Sequence, residues 1–137
     1  MEYSNLLSER VKSLKASGAD AFELAFRFDN IDALLEKTDS SAVSNLGEYK
    51  TLKNESLSEF KNLLKSELPA MTKKLKSVNS DPKASGIDWN GHKAEVVKYR
   101  DGIERLSVTQ KTSILTEITS FKIAASSFDK NYASYGA

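Results

Sequence analysis

The stretch NSDPKASGIDWNG, residues 79–91, separates two long segments that have helical periodicity. It contains one of the two prolines of the chain, two of its six glycines and its only tryptophan. Proline removes a backbone donor and glycine relaxes the steric limits on the backbone, so both residues favour turns. The stretch therefore predicts a loop with a helix on either side.

Three segments before this loop have the apolar spacing of helices. Steps of three and four residues recur in residues 3–14, 22–35 and 57–78, which is typical of helices with one buried face. The run FELAFRF at residues 22–28 also alternates like a strand, but a lone strand would leave its backbone groups unpaired. We therefore predict a helix there, preceded by a capping box of Asp20 and Glu23.

Two interruptions are predicted within these segments. Residues 38–54 are rich in Asp, Ser, Asn and Gly, which predicts a connector with at most one short helical turn. Ser56 and Glu59 have the spacing of a capping box and predict a helix start at that point. Pro69 then predicts a kink, or a restart capped by Ser66, because its ring crowds the preceding turn while helical spacing continues beyond it.

The segment after the loop carries the most regular apolar stripe of the chain. Ser107 and Gln110 predict a fresh helix start. Beyond them, apolar residues follow at steps of four, three, four and three: Ile114, Ile118, Phe121, Ala125 and Phe128. Such spacing is typical of a helix that packs along a seam. The stripe is either part of the chain's own core or a surface for a partner helix.

Length and composition predict one all-α domain over residues 1–137. Hydrophobic residues make up 39% of the chain and charged residues 28%, which is apolar enough for a folded core. We expect a helical bundle of long antiparallel helices, with a kink near Pro69 and a helix-turn-helix at residues 89–91. Residues 129–137 contain aromatic side chains without periodicity and predict a loose tail.

Trp89 and Gly91 form a W-x-G sequence at the junction between helical segments. In a turn, such a glycine allows a positive φ while the indole covers the junction. The motif, with its flanking segments from about residue 47 to residue 128, resembles the WxG turn of the ESX-type substrates and partners of type VII secretion. These are helical-hairpin proteins, typically dimers, that are exported without a cleaved signal peptide.

The resemblance implies that Trp89 and Gly91 set the hairpin, whose second helix runs from His92 to about Phe128. It also implies that a second chain packs on the stripe, at Ile114, Ile118, Phe121 and Phe128. The family's secretion signal places a tyrosine four residues before an acidic residue. Here that position after each candidate tyrosine is Ile103 or Gly136. The alternative is that Trp89 simply closes a loop as a core residue.

No pattern in the sequence is typical of a catalytic, metal or cofactor site. The only histidine, His92, has Asp88 and Glu95 nearby, but this is not the spacing of a known metal site. Three further carboxylates share one side of a predicted helix and are assigned to its outer face: Asp29, Asp32 and Glu36. We therefore expect no enzymatic activity, no metal and no cofactor.

Charge argues against a general nucleic-acid surface. The chain has 20 basic and 19 acidic residues, a net charge of +1, where nucleic-acid binding favours a basic patch. The one basic cluster is interpreted as solvated surface: Lys61, Lys65, Lys73, Lys74 and Lys76. We expect a protein partner instead, either a second copy or another helical chain. The alternative function is a structural or assembly component of a phage particle or another large complex.

The sequence predicts neither a membrane span nor a secretory signal peptide. It has no apolar run of the length that crosses a bilayer, and its first residues are amphipathic and partly acidic. It has no cysteine, so no disulfide can form. The cytoplasm, a virion, and export by a route without a cleaved signal all stay open as locations.

Overall fold

The computed structural model describes residues 21–37 and 46–136, in which every regular element is helical. Five α-helices follow one another in this part of the chain: α1 (Ala21–Glu36), α2 (Leu46–Ser80), α3 (Trp89–Glu104), α4 (Val108–Ser113) and α5 (Leu115–Asn131). A π-helical turn, Tyr132–Gly136, follows α5. The predicted all-α helical bundle is confirmed.

α1 confirms the helix predicted for residues 22–35, and the strand alternative is wrong. Phe28 and Ile31 are both buried, three residues apart on its inner face, as helical periodicity requires. The helix predicted for residues 3–14 and the predicted cap at Asp20 lie outside the described residues.

α2 begins inside the predicted connector. It starts at Leu46 and runs for 35 residues, so the prediction of turns for residues 46–54 is wrong, while residues 38–45 lie outside the described part. The cause is a tertiary contact. Tyr49 is buried, with its ring centroid 6.0 Å from that of Phe28 in α1, and such packing outweighs a weak local preference for turns.

α2 also continues through the positions where a start or a break was predicted. Ser56 and Glu59 lie in its interior, so their predicted capping box is wrong. The helix passes through Pro69, the site of the predicted kink, and the alternative of a restart capped by Ser66 is wrong. Pro69 lies on the exposed surface of the helix.

The chain divides into two compact units, Met1–Phe60 and Lys61–Ala137, where the sequence predicted a single domain. In the described part of the first unit, α1 packs on the beginning of α2. Tyr49 Oη donates a hydrogen bond to Asp32 Oδ1 at 2.7 Å, and Lys53 pairs with the other oxygen of that carboxylate. Asp32, predicted on the outer face, therefore lies between α1 and α2.

In the second unit, the rest of α2 packs with α3 and α5. Antiparallel contacts join α2 to α3, since Tyr99 Oη donates to Glu67 Oε2 at 2.8 Å and Lys74 Nζ lies 3.8 Å from Glu95 Oε2. Burial, and then the hydrogen bond from Tyr99 to Glu67, raise the pKa of Tyr99. This antiparallel pair confirms the predicted orientation for α2 and α3.

α2 and α5 run parallel in the same unit. Residues 69–76 of α2 lie beside residues 116–120 of α5, and farther along both helices Asn79 Nδ2 donates to the Ala124 carbonyl at 3.1 Å. Asn131 Nδ2 in turn donates to Asn79 Oδ1 at 3.0 Å. One helix of the three is therefore antiparallel to the other two.

The loop at residues 81–88 joins α2 to α3 and confirms the predicted helix–loop–helix junction. Within it, Gly86 has φ = 81°, a conformation that favours glycine. The positive φ assigned to Gly91 from the sequence is wrong, because Gly91 lies in the first turn of α3. The junction turns before the tryptophan and not after it.

α5 buries the predicted stripe in the core of the second unit. The capping box of Ser107 and Gln110 is confirmed at the start of α4. The long helix expected between His92 and Phe128 is interrupted after Glu104 and again at Ile114. Three helices therefore occupy the length that the resemblance gives to one.

Candidate protein-interaction site

Trp89 is the first residue of α3, next to the cap of that helix. Asp88 is the N-cap, and its Oδ1 accepts a hydrogen bond from the Gly91 N–H at 3.0 Å. A Cβ atom on Gly91 would lie 2.1 Å from Asp88 Oδ2, so a side chain there would displace the capping carboxylate. Gly91 therefore supports the start of α3 by leaving room for its cap.

The indole of Trp89 links the start of α3 to the end of α5. Its ring centroid lies 5.7 Å from that of Phe128 and 6.4 Å from that of Tyr132. A Cβ atom on Gly136 would lie 2.9 Å from Trp89 Cγ, so the backbone of the π-helical turn approaches the indole closely. Aromatic pairs at such distances stabilise by about 0.5–1.5 kcal/mol each beyond area burial.

Residues 132–136 contact earlier parts of the chain, whereas the sequence predicted a loose tail at residues 129–137. α5 itself extends to Asn131. Tyr132 Oη donates to Asn90 Oδ1 at 2.7 Å, and Lys93 Nζ lies 5.6 Å from the centroid of the Tyr132 ring. These contacts reach back about 40 residues along the sequence and leave no periodic signal, so local spacing does not predict them.

A group of charges lies beside these rings. Asp129 accepts hydrogen bonds from Lys93 at 3.0 Å and from Arg100 at 2.7 Å. Burial acts to raise the pKa of Asp129, but the hydrogen bonds from Arg100 and Lys93 outweigh burial and lower it. About a third of each side chain is exposed. Solvent therefore screens both ion pairs, and their contribution to the free energy of unfolding is small.

His92 packs in this junction and is not grouped with its acidic neighbours. Its ring lies edge-on to Phe128 at 6.3 Å between centroids. Asp88 caps α3, and Glu95 pairs with Lys74. No group of three His, Cys, Asp or Glu residues in the described ranges is placed to hold a metal ion.

The four apolar residues expected to contact a second chain lie in the chain's own core. They are at most 4% exposed: Ile114, Ile118, Phe121 and Phe128. Phe121 also meets Tyr99 of α3 with 6.0 Å between ring centroids. The alternative left open by the sequence, that the stripe is core, accounts for this burial.

A second apolar row, missed in the sequence, lies on the opposite side of α5. Leu115 is 57% exposed and Ile123 is 66% exposed, although both are large aliphatic residues. They lie eight residues apart, about 12 Å along one face of a helix, with Thr119 between them. Their spacing is visible in the sequence, but the inner stripe is longer and more regular, so the contact surface was assigned to that stripe from the sequence.

Few charges interrupt this outer face. The exposed residues at positions 116, 119, 126 and 127 of α5 are serine or threonine. Lys122, at its edge, lies 3.8 Å from Glu104 of α3 and points toward that helix. Interface cores are depleted in charged residues, so this composition suits contact with another helix.

Searches against protein-family models, curated proteins and solved structures gave no significant match. Within residues 21–37 and 46–136, no helix combines the length and the apolar character needed to cross a membrane.

Proposed function

We propose that this protein is a non-enzymatic helical interaction protein that pairs with a second helical chain through the outer face of α5. The observation that carries this proposal is the exposure of Leu115 and Ile123 on one face among serine and threonine. Single exposed aliphatic residues are common on protein surfaces. Two at helical spacing form a row that a second helix can cover, and burying the exposed part of each gains about 1–2 kcal/mol.

A second copy of the chain is the simplest partner for this face. An antiparallel pair of α5 helices related by a two-fold axis at Thr119 places Leu115 of one copy opposite Ile123 of the other. Thr119 is small, so the helix axes can approach to about 8–10 Å. The same face then serves both copies, and the assembly closes as a dimer.

Cysteine cross-linking tests this geometry, because the chain has no cysteine of its own. In the dimer, Thr119→Cys places two thiols on the axis within disulfide reach, about 4.4–6.8 Å between Cα atoms. Under mild oxidation we expect a covalent dimer on a non-reducing gel. Ser77→Cys, at an exposed position on α2, is the matched control and should remain monomeric. Equal cross-linking of both variants would refute pairing through α5.

In its most specific form, the proposal makes this chain a WxG-like substrate or partner of type VII secretion. Its support is the W-x-G sequence at a helix start, with Trp89 packed on Phe128. The test is secretion of the tagged chain by a host with and without such a system. Release into the medium that is equal in both hosts would contradict this form and leave the pairing proposal standing.

The alternative function, a component of a phage particle or another large complex, predicts a different assembly. Rings or lattices contain many copies, whereas a face that pairs about a two-fold axis closes after two. Light scattering coupled to gel filtration separates these outcomes by mass.

A further inference from the structure

A groove of about 340 Å³ lies between α2 and α5 in the second unit. Three residues of each helix line it: Pro69, Thr72 and Lys76 of α2, and Thr116, Glu117 and Ser120 of α5. The groove runs along the flank of α5 that faces α2, beside the outer row of Leu115 and Ile123. Its hydroxyl-bearing walls are short side chains, which allow another helix to approach closely.

The base of the groove contains a hydroxyl group that lacks a partner. Thr72 is 5% exposed, and its Oγ1 makes no hydrogen bond with any described residue. A buried polar group left in this state is destabilising. A threonine in a helix usually donates to a carbonyl one turn earlier. The Thr72 oxygen is covered in this structure, so an acceptor in the groove would satisfy the hydroxyl after the side chain rotates toward the groove.

A row of lysines on α2 leads to the groove, and its last member, Lys76, lines it. Lys61, Lys65, Pro69, Thr72 and Lys76 follow one another at steps of four, four, three and four, so they share one side of the helix. Among the described residues, these three lysines have no ion-pair partner, whereas Lys74, on the side that faces α3, pairs with Glu95. Lys65 and Lys76 lie about 16 Å apart along the helix.

The charges of the two walls restrict what the groove can bind. Acidic side chains spaced along a helix would match the lysine row, and one carboxylate could accept from both Lys76 and Thr72. Glu117 on the α5 wall has no ion-pair partner among the described residues, and it would repel a uniform polyanion. No arginine lines the groove, although arginine is the side chain best suited to bidentate phosphate contacts. These features favour a protein helix over nucleic acid.

We propose that the groove between α2 and α5 binds an acidic amphipathic helix of a partner protein. Its acidic residues face Lys61, Lys65 and Lys76, and its small or polar residues cover Thr72, Thr116 and Ser120. A second copy paired through this groove about a two-fold axis would bring two lysine rows together, so the occupant belongs to a different protein. The site goes beyond pairing through Leu115 and Ile123 and does not require that pairing.

Fluorescence anisotropy with a labelled helical peptide tests the proposal. The probe is a synthetic amphipathic peptide of about 20 residues, roughly 30 Å of helix, with glutamates along its polar face. A second peptide has lysine at every glutamate position, and a DNA duplex supplies a uniform polyanion. We expect the acidic peptide to bind saturably, and more tightly than the other two probes.

Charge reversal then locates the binding. Lys65→Glu/Lys76→Glu should weaken binding of the acidic peptide about tenfold or more, since two attractive contacts become repulsive. Thr72→Val, which removes the buried hydroxyl at similar volume, should weaken it severalfold. Lys50→Glu makes one such charge reversal, half that of the double variant, at an exposed position of α2 outside the groove and should leave binding unchanged.

Three results would overturn the proposal. The acidic peptide could fail to bind, it could bind Lys50→Glu and Lys65→Glu/Lys76→Glu equally well, or the duplex could bind more tightly with the same dependence on Lys65 and Lys76. The last result would make the groove a nucleic-acid site. Circular dichroism of each variant confirms that it is folded. If the acidic peptide does not bind but the Thr119→Cys disulfide still forms, the groove proposal fails while pairing through α5 stands.

Discussion

Replacing Trp89 with alanine should destabilise the second unit and release the π-helical turn. The indole contacts the rings of Phe128 and Tyr132, and each ring pair contributes about 0.5–1.5 kcal/mol. Removing a fully buried aromatic side chain costs about 3–5 kcal/mol. Trp89 is half-buried, so we expect the free energy of unfolding to fall by about 2–4 kcal/mol.

Urea unfolding followed by far-ultraviolet circular dichroism measures this loss, since the variant has no tryptophan to report by fluorescence. With a slope of about 1–2 kcal/mol per molar urea, the midpoint should fall by roughly 1–4 M. Trp89→Phe retains one ring and should lose about half as much. Amide exchange at residues 132–136 should accelerate in Trp89→Ala. A loss below about 0.5 kcal/mol, the usual range for surface changes, would refute the role assigned to the indole.

Three further predictions concern the same junction. Asp88→Ala removes the cap of α3 and should lower the free energy of unfolding by about 0.5–2 kcal/mol, measured by thermal unfolding. Adding Gly91→Ala should lower it little further, because both changes remove the same hydrogen bond. Fully additive losses would contradict the assigned cap. The pKa of Asp129 is lowered in the folded state. The stability advantage of the unchanged protein over Asp129→Asn should therefore be full at neutral pH, should begin to fall below about pH 4, the ordinary pKa of an aspartate, and should be lost once the pH is below the lowered pKa. An advantage that does not shrink between about pH 4 and about pH 2 would contradict this. Gly136→Ala should accelerate amide exchange in the last turn, because its Cβ would lie 2.9 Å from Trp89 Cγ, and unchanged exchange would show that the indole can move aside.

The fold was predictable from the sequence wherever the structural cause is local. The capping box of Ser107 and Gln110 and the burial of Phe121 and Phe128 follow from spacing along one helix. The start of α2 was not predictable in this way. Its first turns are stabilised by Tyr49, which packs on a helix about 20 residues earlier in the chain, and a window of local composition does not contain that contact.

The candidate site was predictable only in part. The W-x-G sequence indicated a helix junction, but spacing alone does not distinguish a glycine in a turn from one in the first turn of a helix. The positive φ assigned to Gly91 from the sequence is found at Gly86 instead. The outer row of Leu115 and Ile123 was missed for another reason. An apolar residue that lies off the main stripe has no distinguishing feature until its exposure is known.

Two aspartate substitutions on one helix test the central claim, that α5 packs its inner face in the core and presents its outer face to a partner. Ile118 is 4% exposed and Ile123 is 66% exposed, so the same change probes both faces. Each variant would be examined by circular dichroism and by light scattering coupled to gel filtration. We predict that Ile118→Asp unfolds the second unit, since it buries an unpaired charge, and that Ile123→Asp stays folded but becomes monomeric. A folded monomer from Ile118→Asp, or an unchanged dimer from Ile123→Asp, would contradict this assignment of the two faces.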